Sequence, residues 1–170
     1  MKSQQGLVGH VLGGWEISGI TTAQAGTPLT VTGFKGTSVD YIGTGNPFSG
    51  GTLNAQRPDQ IGDANAGAPH TFTQWFNTAA FADVPAGQLR AGTERRGAVR
   101  GPGFQRWDVS LFKNMKFSER FSGQFRAEAF NVFNHTQWSG ITTAMSSTLF
   151  GQVTSTRDPR IMQLGLKLNF

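Results

Sequence analysis

Any chemistry in this chain would have to start from its histidines, carboxylates and basic clusters, so their spacing is the first thing to weigh. His10, His70 and His135 are far apart, show no metal-ligand spacing and have no carboxylates nearby. Asp63-Ala64-Asn65-Ala66-Gly67 opens like a calcium loop, but position 12 is Gln74, where a bidentate Glu is required. Gly43-Thr44-Gly45-Asn46-Pro47 has glycines enough for a phosphate cradle, yet no helix follows it, and it reads as a turn. Asn134-His135-Thr136 is formally a glycosylation acceptor and marks only a loop. Arg126 and Glu128, two residues apart, share a polar face on which Lys116 could reach them across a hairpin; such a pairing is structural. No nucleophile is paired with a base, and no two carboxylates are placed for acid–base work. The residues therefore predict no catalytic, metal or cofactor site, and the chain does not read as an enzyme.

What those side chains stand on is a set of one-sided ribbons. In the final stretch Met162, Leu164, Leu166, Leu168 and Phe170 alternate with Gln163, Gly165, Lys167 and Asn169. A strand sends successive side chains to opposite faces, whereas a helix would mix the leucines with Lys167 and Asn169. Gly14–Thr32 shows the same period: Trp15, Ile17, Gly19, Thr21, Ala23 and Ala25 on one face, Glu16, Ser18, Thr22 and Gln24 on the other. Ile20 is its exception, and Gly26-Thr27-Pro28 interrupts it. Arg106–Phe117 and Phe121–Phe133 alternate around the polar turn Ser118-Glu119-Arg120 and predict a hairpin, with Phe112 and Lys113 out of pattern. Gly6–Gly13 could form one or two helical turns, too short to be stable alone.

Between the first two ribbons, 34–103 loses all period and is dominated by Gly, Pro, Asn, Asp and Thr. One apolar island, Trp75-Phe76-Asn77-Thr78-Ala79-Ala80-Phe81, could pin this long irregular loop. A second polar loop runs to Pro159. The long loops thus fall at one end of the strands and the short turn at the other. Together with apolar-out, polar-in alternation, that asymmetry predicts an all-β antiparallel meander of about four strands from a large transmembrane barrel. The apolar face of the last strand, Met162 to Phe170, would meet lipid. Trp15, Phe117, Phe121 and Phe170 would form an aromatic girdle at the short-turn end, with Trp107 toward the other interface.

Composition agrees with a β-rich, turn-rich chain: 170 residues, 23 glycines, 14 phenylalanines, 15% charged residues and no cysteine. No stretch approaches the roughly 18–20 apolar residues of a spanning helix. The net charge of +5 raises the question of nucleic acid, but Arg90, Arg95, Arg96, Arg100 and Arg106 sit among Gly, Ala and Pro, as in a solvated loop. No nucleic-acid partner is predicted, and the amino-terminus does not read as a signal peptide.

The motifs GGWEISGITTAQAGTPLTV, WFNTAAF, RGPGFQRWDVSLFKN, FRAEAFNVFNHTQW and LGLKLNF, in this order, resemble the carboxy-terminal end of TonB-dependent outer-membrane receptors. The resemblance is to the subgroup that carries a carboxypeptidase-regulatory-like domain. It implies transport of an unidentified ligand through a barrel of roughly 22 strands, of which 14–32, 106–117, 121–133 and 161–170 are the last four. It implies a periplasmic connection at Gly6–Gly13 and an extracellular loop at 34–103. As partners it implies outer-membrane lipid, the rest of the barrel and its plug, TonB through an amino-terminal part, and the barrel-assembly machinery at the last strand. Four strands cannot close a barrel, so the chain is expected to be a fragment, inactive in transport by itself. The alternative is a soluble or surface-exposed β-sandwich binding module, which the aperiodic 34–103 stretch disfavours.

Overall fold

The computed structural model describes residues 6–35, 56–85, 87–88 and 90–170. They form two compact units. The first comprises the described residues within 6–24, 104–137 and 157–170; the second comprises those within 25–35, 56–103 and 138–156.

The first unit is one four-stranded antiparallel sheet. Its strands are β1 (Trp15–Gln24), β6 (Phe104–Lys116), β7 (Ser122–Phe130) and β10 (Ile161–Asn169), paired in chain order. Each is 9 to 13 residues long, enough for a tilted strand to cross a bilayer, which takes roughly 9–11. The register aligns the alternations. Ile17, Leu111, Ala127 and Leu164 lie in one row across the sheet, and Ser18, Ser110, Glu128 and Gln163 lie in the next. One face therefore collects most of the aliphatic and aromatic side chains and the other most of the polar ones. The apolar face is open: Ile17 is 74% and Leu164 68% exposed. An aqueous sandwich would bury that surface in a second layer, so the sandwich alternative fails for this sheet.

The β6–β7 turn closes with the N–H groups of Phe117 and Ser118 donating to the Phe121 carbonyl at 3.1 and 3.0 Å. The Phe117 and Phe121 rings lie 5.1 Å apart over it. Both long connections leave from the opposite end, where Trp107 meets Phe133 edge-on at 5.9 Å. Ahead of β1, the helix α1 (Gly6–Leu12) leads into the strand through Gly14 at φ 76°.

The strand limits differ from expectation where backbone geometry intervenes. The predicted strand Gly14–Thr32 ends at Gln24. Beyond it, β2 (Pro28–Leu29) pairs with β5 (Val99–Arg100) in the second unit. Just past the strand end the Gly26 backbone abuts the Gly101 carbonyl, and a Cβ there would fall 1.7 Å from that oxygen. The predicted Phe121–Phe133 strand stops at Phe130, because Asn131 takes φ 52°, a left-handed conformation that Asn tolerates better than most residues. β6 starts at Phe104, two residues earlier than expected.

The second unit replaces the expected irregular loop with a core of its own. It contains β2, β5, β3 (Asp59–Gln60), β4 (Phe81–Ala82), a 3₁₀ turn (Thr78–Ala80), β8 (Trp138–Ile141) and β9 (Val153–Thr156). Trp75, Phe76 and Phe81 are buried, as the apolar island suggested, together with Val31, Ala64, Val99, Met145 and Val153. The polar loop before Pro159 thus supplies part of the core. Phe150 packs edge-on against Phe76 at 5.4 Å, and Trp138 against Trp75 at 5.6 Å. Backbone bonds tie the two segments: Thr32 N–H donates to Thr143, and Met145 N–H to Thr32.

Candidate functional site

The polar face of the sheet is a bonded lattice. Arg126 pairs with Glu128 at 2.8 Å and lies over the Phe112 ring at 5.6 Å. Phe112, out of pattern in the sequence, is thus a platform for a cation. Gln124 donates to Asn114 at 2.8 Å, and Arg106 pairs with Asp108 at 2.7 Å. Lys116 stands opposite Ser122 in the register. Lys113 departs more sharply: its place is on the apolar face, between Trp15 and Phe125.

At the end of the sheet away from the β6–β7 turn, the polar side opens into a cleft of about 310 Å³. Thr22, Phe104, Arg106, Asn131, Gln137, Arg157 and Asp158 line it. Asn131 organises its floor. Its N–H donates to Asp108 at 3.0 Å, its Oδ1 accepts from His135 N–H, and its amide donates to the His135 and Asp158 carbonyls. Gln137 acts as a one-residue strand, accepting from Gln105 N–H at 3.2 Å and donating to the Gln105 carbonyl at 2.9 Å. Arg157 borders the same cleft beside Asp158, its guanidinium 4.1 Å over the Phe104 ring. A guanidinium lining a cleft is of a chemistry that can receive a carboxylate, a phosphate or a planar polar group.

None of these cleft residues except Arg106 was singled out from the sequence. Gln137 and Arg157 lie in a stretch without period, and Asn131 falls within the expected strand Phe121–Phe133. The one available signal was a run of polar residues with an aromatic just after a strand end.

The second unit holds two carboxylates in contrasting settings. Asp59 receives a bidentate fork from Arg90, both bonds 2.6 Å, and the Thr93 N–H at 3.0 Å. The Arg90 hydrogen bonds hold its carboxyl below the ordinary value against the opposing effect of burial. Glu94 is 1% exposed, and its Oε1 accepts from Val31 N–H at 3.2 Å. Its Oε2 has no hydrogen-bond partner among the described residues. Burial pushes this carboxyl up, and the Val31 bond and the Arg57 cation only partly counter it.

The other residues weighed in the sequence fall apart in space or serve structure. Asp63 accepts from Asn65 N–H at 2.8 Å, and Asn65 turns its amide to the backbone of Ala98 and Arg100. Among the described residues, no three His, Asp or Glu side chains gather as metal ligands. His70 packs edge-on against Trp75, and His135 bonds Gln137. Arg90, Arg100 and Arg106 each go to a different acceptor: Asp59, the Gly26 carbonyl and Asp108. The Gly43–Pro47 turn lies outside the described residues.

The Trp15, Phe117 and Phe121 side chains lie toward the short-turn end of the sheet, where β10 runs out into Phe170, and Trp107 lies toward the other. An open apolar face backed by a polar one is what the wall of a membrane barrel requires. A family model described as an outer membrane beta barrel domain matches residues 1–163. No curated protein and no solved structure gives a match. With the match covering nearly the whole chain and the sheet built as a barrel wall, the chain belongs to the outer membrane beta barrel domain family.

Proposed function

We propose that the chain forms the carboxy-terminal wall of a TonB-dependent outer-membrane transporter, with the polar face of the sheet toward the lumen. The observation that carries this reading is the sheet itself: one face open and apolar, the other a bonded polar lattice ending in a cationic cleft. The free edges of β1 and β10 support it further, since a barrel must pair both. In this reading more strands and a plug complete the pore, TonB supplies the energy, and the assembly machinery engages β10. The four strands do not transport alone. The cleft around Phe104 and Arg157 is a place where a passing ligand with an anionic group is held. The chain binds and guides, and catalyses nothing.

The test is capture of the assembled outer-membrane protein carrying this segment by the periplasmic domain of TonB, followed by ligand uptake with and without a protonophore. Capture and protonophore-sensitive uptake are expected. An assembled protein that ignores TonB, or uptake that the protonophore leaves unchanged, would make it a passive barrel.

A further inference from the structure

Lys113 occupies a place on the apolar face where an aliphatic residue is expected, and it is only 8% exposed. Its ammonium donates to the carbonyls of His10 at 2.6 Å and Val11 at 2.9 Å, and to that of Gly13. It also lies 5.0 Å over the Trp15 ring, while the Trp15 indole N–H donates to the Val11 carbonyl at 3.0 Å. The last carbonyls of a helix have no partner within it and carry the negative end of its dipole. A lysine about one hundred residues away in sequence thus caps the C-terminus of α1. Seven residues nucleate a helix poorly by themselves. Here the cap and the indole bond fix α1 against the sheet.

The fixed helix shows an apolar arc. Val8, Val11 and Leu12, at helical spacing three and four, are all exposed, and His10 falls on the opposite side. Trp15 and Ile17 on the apolar face of the sheet are exposed as well. Lys113 stands three residues from the end of β6, so its depth is about 10 Å from that end at the rise of an extended strand. A charge is far cheaper near the membrane edge than at mid-depth, and a Trp with a bonded N–H suits the same zone.

We infer that α1 is an in-plane interfacial helix. Its Val8–Val11–Leu12 arc enters the lipid at the short-turn edge of the barrel, and Lys113 is the positioning residue that holds it there. This goes beyond a simple connection between strands. It rests on the reading of the apolar face as lipid-facing, and the chosen experiment separates the two.

Single cysteines carrying an environment-sensitive fluorophore are placed at Val8, His10 and Leu166 in the protein as the cell makes it, since this chain has no cysteine of its own. Outer membranes are probed with nitroxide-labelled fatty acid and with aqueous iodide. Labels at Val8 and Leu166 should be quenched by the nitroxide and shielded from iodide, and the label at His10 should be open to iodide. In Lys113→Met, the Val8 label should lose its nitroxide quenching while the Leu166 label keeps it; Lys113→Arg should behave as the parent. A Val8 label as open to iodide as His10, with Leu166 still in lipid, overturns the interfacial helix alone. A water-exposed Leu166 label overturns the lipid-facing reading itself. A Val8 label unmoved by Lys113→Met overturns the role of Lys113. If Lys113→Met does not assemble, the Val8–His10 contrast in the parent decides the matter.

Discussion

Leu166 and Lys167 are neighbours in β10, yet the sheet gives them opposite environments. Leu166 stands opposite Phe125 on the apolar face, and Lys167 stands opposite Gln124 on the polar one. Leu166 lies near the middle of the strand, where a charge toward lipid costs roughly 2–4 kcal/mol. Leu166→Arg should sharply reduce folded, membrane-inserted protein, while Lys167→Gln stays near the parent. Heat-modifiable mobility and protease protection in the membrane fraction measure both. Equal tolerance of the two would mean that this face does not meet lipid.

Glu94 makes the second unit sensitive to pH. Burial raises its carboxyl above the ordinary value of 4.5. The folded unit therefore holds the proton more tightly than the unfolded chain does. That contribution is full below the ordinary carboxylate range and is lost as pH rises through the raised folded value. Glu94→Gln keeps the shape without the charge and should flatten this dependence, with the gain in stability appearing at the higher pH. Hydrogen exchange at the Val31 amide across pH, corrected for intrinsic rates, reads it out. A parent and a variant with parallel profiles would exclude Glu94 as the source.

Asp59 should show the opposite slope. The Arg90 fork lowers its carboxyl from 3.8, so its contribution is present above the ordinary value and is lost as pH falls through the lowered one. Asp59→Asn should loosen the β3–β4 pairing at neutral pH and remove the acid-side loss. Protection of the Gln60 and Thr93 amides is the measure, and an unchanged acid limb would reject the assignment.

Two glycines of the second unit differ in the space behind them. A Cβ on Gly26 would lie 1.7 Å from the Gly101 carbonyl oxygen, whereas one on Gly62 would meet Ala80 at 3.6 Å, an ordinary contact. Gly26→Ala should destabilise the unit by about 1–3 kcal/mol or more, as forced overpacking does. Gly62→Ala should be nearly neutral. Trp75, which is buried and donates its indole N–H to the Arg100 carbonyl at 2.8 Å, provides the fluorescence signal for unfolding.

Gln137 completes the wall of the cleft through paired bonds to Gln105. Gln137→Ala leaves the Gln105 N–H and C=O unmatched and should cost about 1–3 kcal/mol locally. Exchange at the Gln105 amide should quicken, while the exposed neighbour change Thr136→Ala leaves it unaltered. Equal effects of the two changes would show that the paired bonds do not hold the wall.

The four long strands, their pairing order and the division of their faces were legible in the sequence by itself. Alternation with period two is a local property of extended backbone: Met162 to Leu168 records its two environments residue by residue, whatever lies elsewhere. The pinning role of Trp75, Phe76 and Phe81 was legible for a related reason, as large apolar side chains stand out where little else is apolar. Tertiary structure alone decided the rest, because it joins residues far apart in the chain. Met145, Phe150 and Val153 look isolated in a polar loop and become core only when that loop meets the 25–103 segment. Gly26 has no room for a side chain only because Gly101, far along the chain, lies against it. Lys113 looks like a fault in a strand pattern until the carbonyls of α1 surround its ammonium. Asn131, Gln137 and Arg157 form a cleft only when β6, β7 and the approach to β10 converge. A side chain's face follows from its neighbours one and two positions away, but its partner is set by closure of the whole chain.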